Sequence, residues 1–512
     1  MSTKANVIIA TAGLGSRMNS ISSDLHKSLL PYKEKPLLYH IINSVPDNLI
    51  IGVILGHKSS QITDFLSITF PNKEFILINV DDWTSNKSGT GYSLKSAYDF
   101  VDTSFWYFPC DGFYYNLDFI NNAPSEDLYI VSQINSNETQ NFLTFKIEDN
   151  RVVTTYLKSP DLKDVFAFTG AMRIKDKFEF FQKLNESNSS EFISLINSGA
   201  LTQLTKNWVD LGNSFNYSKA VGQNKFDFTK PNEFTYQLED TIIKWWSDPA
   251  IASAKKNKPL NSPEVFPLNA SSKGEFFRYD LAPGVPFYQV VTPSNFEILL
   301  DWLEEKVWIP VDLDIKSNLY EFYKVKTIFR IDMLGDKKNL DSFNPKYVDG
   351  QAVLNWKSYF EKIDWDLLIN ESRSTFIHGD LQFDNIIFDS LSKKFTLIDW
   401  RYDFSGLGVF GDLYYDFAKL LGGIYQNYQL IKNGGLDFKL LGSEAITTVP
   451  SSQFKEELVI ILENKAKSMG LNVKKIRLLV PLIYWNMSPL HKEPFSNICW
   501  CLGLKFFEEY HK

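Results

Sequence analysis

FIHGDLQFDNIIF, residues 376–388, is the stretch of this sequence that constrains its fold most strongly. Asp380 and Asn385 lie in its polar middle, and the apolar residues that follow Asn385 predict a β-strand. A second predicted strand ends at Asp399, fourteen residues after Asn385. Because the three oxygen-bearing side chains come from adjoining strand ends, we expect them to meet at one bound ligand.

This spacing suits phosphoryl transfer from a nucleoside triphosphate, in which an aspartate orients and deprotonates the attacking hydroxyl while an asparagine and a later aspartate hold Mg²⁺. HGDLxxxN followed by IDW resembles the aminoglycoside phosphotransferase and choline kinase family. The resemblance implies that Asp380 is the catalytic base and that Asn385 and Asp399 are Mg²⁺ ligands. It also implies that the first acid of Gly411–Asp416 braces the catalytic loop. The alternative is an unrelated β-hairpin that happens to carry acids.

The residues before this motif are predicted to form the small lobe of a kinase fold, with a run of short strands joined by tight turns. The resemblance implies that Lys244 binds the α- and β-phosphates of ATP; the alternative is a solvated lysine on an edge strand. The turn at residues 230–233 has no glycine, so the phosphate cover must differ from the usual Gly-rich loop. No clear glutamate in residues 248–256 is available to pair with Lys244, and Glu264 is a distant alternative. The three predicted strands are Lys225–Thr229, Phe234–Leu238 and Thr241–Trp245.

The phosphate acceptor is harder to identify from the sequence. Choline kinases hold a quaternary ammonium group in an aromatic cage. Alternatively, the aromatic residues near the C-terminus form a helical core. His491 is either a candidate substrate contact or a core histidine. The candidate cage residues are Tyr414, Tyr415, Tyr484, Trp485 and Trp500.

The N-terminus contains a second informative stretch, AGLGSRM at residues 12–18, which follows the apolar strand Val7–Ala10. Glycines allow the backbone to approach a phosphate and present N–H groups to it. Arg17 can grip phosphate oxygens, and Lys27 follows twelve residues after Gly15. The stretch lacks the third glycine of the dinucleotide fingerprint and the Gly-Lys-Ser/Thr ending of a P-loop, so it also suits an ordinary strand–helix turn.

The combination AGLGSRM…HKSLLPYKEKPLLYHII resembles the signature of sugar-phosphate and choline-phosphate nucleotidyltransferases. The resemblance implies that Arg17 and Lys27 stabilise charge as pyrophosphate leaves. Gly89 and Thr90 stand where that family reads the nucleobase, and their surroundings look closer to the choline-phosphate cytidylyltransferase branch, which favours CTP. The loop implied to wrap the triphosphate comprises Ala12, Gly13, Leu14, Gly15 and Ser16.

Two aspartates complete the N-terminal site. The resemblance implies that Asp111 and Asp210 hold Mg²⁺ between the α-phosphate and the acceptor phosphate, a role for which hard oxygen ligands are suited. Each alone is more typical of a turn or cap residue. Lys158 resembles the lysine that contacts the acceptor phosphate, although a surface lysine is the other interpretation.

Strand-like and helix-like segments alternate through the first part of the chain and give way to consecutive strands and then helices. We therefore expect an α/β, Rossmann-like domain with a mostly parallel sheet of the nucleotidyltransferase type, at residues 1–222. An α+β, protein-kinase-like domain is expected at residues 223–512, with an N-lobe at about 223–284 and a C-lobe at about 285–512.

Composition narrows the class of partner. The net charge is −8, so binding to a nucleic-acid backbone is not expected. Three cysteines cannot form a disulfide framework. The first apolar run is short and enters a glycine turn, as expected of a first strand rather than a signal peptide, and no run of about 18 apolar residues predicts a membrane span. We expect a cytoplasmic enzyme.

Together the two motifs predict consecutive reactions. A kinase would use ATP and Mg²⁺ to phosphorylate a small alcohol, and a nucleotidyltransferase would use Mg²⁺ and CTP to activate the phosphate, as in precursors for capsule or lipopolysaccharide. A sugar kinase paired with a sugar-1-phosphate nucleotidyltransferase that uses UTP or another nucleotide is an alternative. A kinase-fold module that only binds ligand is a third, against which the intact acid set argues.

Overall fold

The computed structural model describes residues 3–18, 23–84, 89–186, 196–206, 208–221, 232–340 and 343–511. The predicted strand Lys225–Thr229 lies outside these residues. The N-terminal helices are α1 Leu37–Ser44, α2 Ser59–Thr69, α3 Thr90–Lys95, α4 Lys177–Glu186 and α5 Ser214–Val221. The N-terminal strands are β1 Ala5–Ala10, β2 Pro31–Tyr32, β3 Lys35–Pro36, β4 Ile51–Leu55, β5 Phe75–Asn79, β6 Val101–Pro109, β7 Gly112–Tyr114, β8 Leu128–Gln133, β9 Leu143–Glu148, β10 Arg151–Leu157, β11 Phe166–Ile174, β12 Leu201–Leu204 and β13 Trp208–Asp210.

The N-terminal region is built on one sheet with the strand order β5-β4-β1-β6-β11-β8-β12-β10-β9. The expected parallel arrangement is present from β5 to β6. Beyond β6 the neighbours are antiparallel except for β8 and β12, so the sheet is mixed rather than mostly parallel. One cause is the turn at Asp149 and Asn150, which both have positive φ and close a tight β9–β10 hairpin.

Burial explains the apolar runs in the central strands. Every residue of β4 is buried, as is typical of a parallel strand covered on both faces. In β1, Val7 and Ile9 belong to one apolar core, whereas Ile8 belongs to the core on the other face. Both β1 and β6 run in the same direction, so the segments after Ala10 and Pro109 meet at one edge of the sheet.

The C-terminal region combines short strands with longer helices, and a π-helical segment at Tyr320–Val325 joins α9 to α10. No helix in the described residues has both the length and the apolar character needed to cross a bilayer. The strands are β14 Glu233–Gln237, β15 Thr241–Trp246, β16 Ser271–Lys273, β17 Phe276–Asp280, β18 Val285–Pro286, β19 Tyr347–Val348, β20 Gln351–Ala352, β21 Ser374–Phe376, β22 Ile386–Asp389, β23 Lys394–Leu397, β24 Phe410–Asp412, β25 Asp437–Leu441 and β26 Glu444–Thr448. The helices are α6 Pro249–Lys255, α7 Asn257–Asn261, α8 Pro293–Lys306, α9 Lys316–Leu319, α10 Lys326–Lys337, α11 Trp356–Lys362, α12 Trp365–Asn370, α13 Leu413–Tyr425, α14 Tyr428–Lys432, α15 Lys455–Ser468, α16 Val473–Met487 and α17 Phe495–His511.

A four-stranded antiparallel sheet, β14-β15-β17-β16, forms the small lobe of the C-terminal region. A helical lobe follows it, in which α13, α16 and α17 pack around one apolar core. The hairpin of β22 and β23 joins the loop of Asp380 to that of Asp399. This is the α+β, kinase-like arrangement expected from the sequence.

The small-lobe sheet also packs directly on the N-terminal region. Tyr236 and Trp245 share an apolar core with Phe65 of α2. The Tyr236 hydroxyl donates a hydrogen bond of 2.7 Å to the Leu29 carbonyl. One carboxylate oxygen of Glu275 accepts from Gln61 Nε2 at 2.6 Å and from Trp245 Nε1 at 2.7 Å. The predicted boundary near residue 222 falls next to residues outside the described ranges and stays a prediction.

Removing the Tyr236 hydroxyl tests this shared core. Tyr236→Phe leaves the buried Leu29 carbonyl without its donor, so we expect a loss of about 1–3 kcal/mol in the free energy of unfolding. The measurement is urea unfolding of the full chain. Tyr347→Phe makes the same change at a side chain that is 45% exposed and serves as the control. Equal midpoints for both variants would contradict the prediction.

Candidate active sites

The N-terminal cavity, of about 610 Å³, lies at the sheet edge where β1 and β6 end. The Gly-rich loop forms one wall and the segment after β6 forms another. Every residue that the sequence singled out in this half lines it, so the structure brings them together, whereas their chemical roles stay predictions. These residues are Ala12, Gly13, Leu14, Gly15, Ser16, Arg17, Lys27, Gly89, Thr90, Asp111, Lys158 and Asp210.

A short antiparallel pair of strands brings the two aspartates of this cavity together. In the pairing of β7 with β13, Asp210 lies opposite Gly112, and the Leu211 N–H donates to the Asp111 carbonyl at 2.9 Å. A Cβ placed on Gly212 would lie 3.1 Å from both Asp111 Oδ2 and Asp210 Oδ1. Both carboxylates therefore border the backbone at Gly212, and Mg²⁺ binds such oxygens at about 2.1 Å.

The two carboxyl groups have different electrostatic surroundings. Burial acts to raise the pKa of Asp111, but Lys27, whose Nζ lies 2.7 Å from Asp111 Oδ2, holds that pKa below its usual value. Burial raises the pKa of Asp210, although Asn216 Nδ2 donates to its Oδ2 at 2.7 Å. A divalent cation between them would favour the ionised form of both.

Sequence reasoning missed the aromatic wall of this cavity. Phe142 and Trp208 line it, with their rings edge-to-face and their centroids 5.5 Å apart. Trp208 Nε1 is buried and has no hydrogen-bond partner among the described residues. The available signal was period-two spacing, because Trp208 stands two residues before Asp210 and so shares its strand face.

The C-terminal cavity, of about 680 Å³, lies between the small lobe and the helical lobe. Lys244 reaches it from β15. The other three predicted residues reach it from the segments just before β22 and just after β23, which lie side by side at the open end of this hairpin. The structure therefore also gathers the C-terminal set into one cavity. The set comprises Lys244, Asp380, Asn385 and Asp399.

A buried aspartate on α13 fixes the loop of Asp380. Asp416 accepts hydrogen bonds from the backbone N–H groups of His378 at 2.9 Å and Gly379 at 2.7 Å. Asp412, the first acid of its motif, instead forms a fully buried ion pair of 2.7 Å with Lys475. The expectation that the first acid braces the loop is thus wrong. Asp416 lies one helical turn further on and faces the loop.

Hydrogen bonds also join the Asp380 loop to the strand end that carries Asp399. Asn385 Nδ2 donates to the Asp380 carbonyl at 2.8 Å, and the Ile398 N–H donates to the Asn385 carbonyl at 2.9 Å. The His378 ring pairs with the Ile398 carbonyl at 2.8 Å. Asp399 has a φ of +58°, a strained conformation for a non-glycine residue that is often found at functional sites.

Cations hold both catalytic-site aspartates in their ionised forms. Burial acts to raise the pKa of Asp380, yet Lys419, whose Nζ is 2.6 Å from Asp380 Oδ1, and Arg401 hold that pKa well below its usual value. The ion pair between Lys244 and Asp399 likewise lowers the pKa of Asp399 against the effect of burial. Asp380 is therefore ready to accept a hydrogen bond from a hydroxyl group.

A second lysine supplements Lys244. Helix α6 presents Lys255 rather than a glutamate, and the Lys255 ammonium donates to the Trp400 carbonyl. Burial and the neighbouring Lys244 lower the pKa of Lys255 to about 8. Glu264, the distant alternative partner for Lys244, acts electrostatically on Lys306. The ion pair of Lys244 is with Asp399. Two cations thus line the small-lobe side of the cavity. Lys244 was predicted, whereas the only sign of Lys255 was the absent glutamate.

The candidate aromatic cage does not form around this cavity. Of its five residues Tyr415 alone lines the wall, together with His491. Trp485 and Trp500 stack on each other at 5.1 Å inside the helical core, and the Tyr484 hydroxyl donates to the Gly422 carbonyl. These rings serve the core. The cavity also contains residues that the motifs did not indicate: Lys326, Arg330, Asp384, Arg401 and Lys419.

The donor sets suit Mg²⁺ that is also held by the phosphates of a nucleotide. Among the described residues, no three His, Cys, Asp or Glu side chains are grouped to hold a metal ion by themselves. Each cavity instead presents two predicted oxygen ligands, as is typical of Mg²⁺, which keeps several waters and takes further oxygens from substrate phosphates.

Comparison with known proteins finds similarities over separate parts of the chain. The model of the phosphotransferase enzyme family, APH, matches residues 344–431. Over these residues the C-terminal region resembles that family. The N-terminal region resembles sugar nucleotidyltransferases. Both similarities are to enzyme families, a phosphotransferase family and sugar nucleotidyltransferases.

Individual relatives match part of the chain. The "Bifunctional protein GlmU" of Methanococcus maripaludis is 24% identical over 251 residues, which cover 46% of this chain and 58% of the relative. This chain therefore spans less than two thirds of the curated relative's length. A structure described as a putative glucose-1-phosphate thymidylyltransferase from Bacillus anthracis is 19% identical, covers 43% of this chain and 94% of its own, and has a TM-score of 0.36. HddC from Yersinia pseudotuberculosis is 20% identical, covers 42% and 98%, and has a TM-score of 0.35.

The shared point between Asp111 and Asp210 can be tested by filling it. In Gly212→Ala the new methyl group lies 3.1 Å from each carboxylate and displaces them, so we expect nucleotidyl transfer to fall by about 10–100-fold. The measurement is the rate of the N-terminal reaction as a function of Mg²⁺ concentration. Gly335→Ala adds a methyl group in open space and is the control. Unchanged Mg²⁺ dependence in Gly212→Ala would contradict a shared metal position.

The role of Asp416 has its own test. Asp416→Asn weakens two hydrogen bonds to the catalytic loop, so we expect the kcat of phosphoryl transfer to fall about 10–100-fold. Asp412→Asn weakens the ion pair with Lys475 and the hydrogen bonds from Tyr323 and Arg373, none of which involves the loop of Asp380. It is expected to lower the unfolding temperature while the kcat of the folded protein is kept. The reverse pattern of kcat values would restore Asp412 as the residue that braces the loop.

Proposed function

We propose that the chain carries out two consecutive reactions. The C-terminal site transfers the γ-phosphate of ATP to the hydroxyl group of a small alcohol, and the N-terminal site then joins that phosphate to CMP from CTP with release of pyrophosphate. The observation that carries the proposal is the presence of both residue sets, each around its own cavity, in one chain. The product of the first reaction is the acceptor of the second, as in the supply of an activated precursor for a surface glycan.

In the first reaction, Asp380 accepts the hydrogen bond of the acceptor hydroxyl and takes up its proton. The hydroxyl oxygen forms a bond to the γ-phosphorus, and the bond to the bridging oxygen breaks to give ADP. Lys244 and Lys255 hold phosphate oxygens on the small-lobe side. Bound Mg²⁺, held by Asn385 and Asp399, supplies charge neutralisation.

In the second reaction, an oxygen of the acceptor phosphate attacks the α-phosphorus of the nucleotide, and pyrophosphate leaves. Arg17 and Lys27 offset the charge that develops on the leaving group, and Lys158 holds the acceptor phosphate. Asp111 and Asp210 would hold Mg²⁺, which would supply neutralisation of phosphate charge. The N–H groups of the Gly-rich loop bind the triphosphate.

A second candidate function makes the acceptor a sugar and the nucleotide UTP or another triphosphate. The resemblance of the N-terminal region to sugar nucleotidyltransferases supports it. The stretch around Gly89 and Thr90, by its resemblance to the cytidylyltransferase branch, supports CTP. The two candidates share all the catalytic residues and differ in acceptor and base.

A substrate screen tests the proposal. The full chain is incubated with ATP, Mg²⁺ and either CTP or UTP over a panel of alcohols and sugars, and nucleoside-diphosphate products are detected by mass. We expect Asp380→Asn to abolish the first reaction and to spare the second when the phosphorylated acceptor is supplied. Asp111→Asn is expected to do the reverse, because it removes a ligand from the other cavity.

The two variants control for each other, since each keeps one activity as proof of folding. Loss of both activities in either folded variant would refute two independent sites. Products that contain UMP with a sugar, and none with CMP, would select the second candidate.

A further inference from the structure

Four cations gather on one side of Asp380. Lys326 and Arg330 lie one turn apart on the same face of α10, directly after the π-helical segment, and both line the cavity. Arg401 comes from the segment after Asp399, and Lys419 comes from α13. Three separate parts of the chain therefore supply this group, which we call the cation cluster.

The cation cluster lacks matching carboxylates. Among the described residues, Lys419 forms an ion pair with Asp380, but no carboxylate pairs with Lys326, Arg330 or Arg401. Lys326 instead lies over the Phe322 ring with its Nζ 3.0 Å from the centroid. Arg401 Nε donates to the Gly379 carbonyl at 3.1 Å, and Arg330 Nη1 contacts the Met333 sulfur at 3.6 Å.

Asp380 and Tyr415 offset the charges of Arg401 and Lys419, whereas the charges of Lys326 and Arg330 are disfavoured where they lie. Burial, and then the charges of Arg401, Arg330 and Lys419, hold the pKa of Lys326 well below its usual value. Cations brought together away from water repel one another and lose hydration, and a bound anion relieves both effects. Lys326, Arg330 and Arg401 line one cavity from partly exposed positions, so an anion that enters the cavity can reach them.

If Lys244 and Asp399 hold the nucleotide, as the kinase proposal has it, the cation cluster is left to the acceptor. The charges of Lys244 and Asp399, which the kinase proposal assigns to the nucleotide, shift the pKa of Lys255. The pKa of Lys326 is shifted instead by the charges of Arg401, Arg330 and Lys419. Asp380 lies between the two groups, since its charge acts on both Lys255 and Lys419. In-line transfer requires the acceptor hydroxyl at Asp380 and the nucleotide on the opposite side.

We propose that the alcohol phosphorylated at the C-terminal site carries an anionic group, a carboxylate, phosphonate or phosphate, which Lys326, Arg330 and Arg401 bind. The inference rests on the proposed kinase function and narrows its acceptor class. Guanidinium groups suit such anions because they donate in a planar fork. A quaternary ammonium acceptor such as choline would meet like charges instead.

Matched acceptors that differ in charge test this inference. With the full chain, ATP and Mg²⁺, 3-hydroxypropionate is compared with 1,3-propanediol and 3-aminopropanol, and 2-hydroxyethylphosphonate with ethylene glycol and choline. We expect kcat/KM for the anionic member of a set to exceed that of the others by about tenfold or more.

Variants assign the effect to the cation cluster. Lys326→Met and Arg330→Met keep much of each apolar stem. We expect each to raise the KM for the anionic acceptor about tenfold while the KM for ATP is unchanged. Lys316→Met removes an exposed charge at the start of the same helical segment and is the control.

The outcomes separate this inference from the function on which it rests. Preference for choline or a neutral diol, with no effect of Lys326→Met, would overturn the inference and leave the kinase intact. If no acceptor is phosphorylated, the kinase proposal fails. The affinity of the chain for an anionic alcohol then tests the inference separately. Calorimetric titration of 2-hydroxyethylphosphonate into the chain saturated with Mg²⁺ and a non-hydrolysable ATP analogue supports it if binding is lost in Lys326→Met. Binding that is absent, or equal in both proteins, refutes it.

Discussion

A lysine held against a partly buried aspartate is the interaction common to both candidate active sites. Lys27 pairs with Asp111 in the N-terminal cavity, and Lys419 pairs with Asp380 in the C-terminal one. Partial burial acts to raise the pKa of each acid, because a charge loses hydration away from water. Each pair keeps its carboxylate ionised and fixes its direction, so that the backbone around it must be rigid. The strand ends and loops that carry these residues are accordingly tied to their neighbours by hydrogen bonds.

The small-lobe sheet shows how this rigidity is obtained. Along β15, Ile243 and Trp245 pack into the core shared with the N-terminal region, whereas Ile242 and Trp246 pack into the core of the helical lobe. The strand is therefore buried on both faces, although a kinase small lobe alone would expose one of them to water. Lys244 extends from this doubly packed strand, and its position depends on the packing of both halves of the chain. The N-terminal region is thus a structural support for the C-terminal site.

Local motifs allowed the sequence to predict the residues that meet at each cavity, because strand ends place them together. Sequence reasoning was weaker wherever distant segments decide the outcome. The cation cluster joins residues from α10, α13 and the segment after Asp399, and no local pattern links them. Asp412 and Asp416 are one helical turn apart, so that only packing decides which of them faces the loop. The aromatic residues near the C-terminus fit a cage or a core equally well by composition, and burial of Trp485 and Trp500 decided for the core.

The cation cluster also bears on how Asp380 acts. An aspartate whose pKa is held well below its usual value is a weak base, so in the cavity as described it mainly orients the hydroxyl. An anionic group bound between Lys326, Arg330 and Arg401 would cancel part of the positive charge that acidifies Asp380. The pKa of Asp380 would then rise, and the residue would become a better proton acceptor at the moment when the acceptor is in place. On this reasoning the proposed acceptor completes the catalytic group as well as filling the site, and a neutral alcohol of the same size would lack that effect.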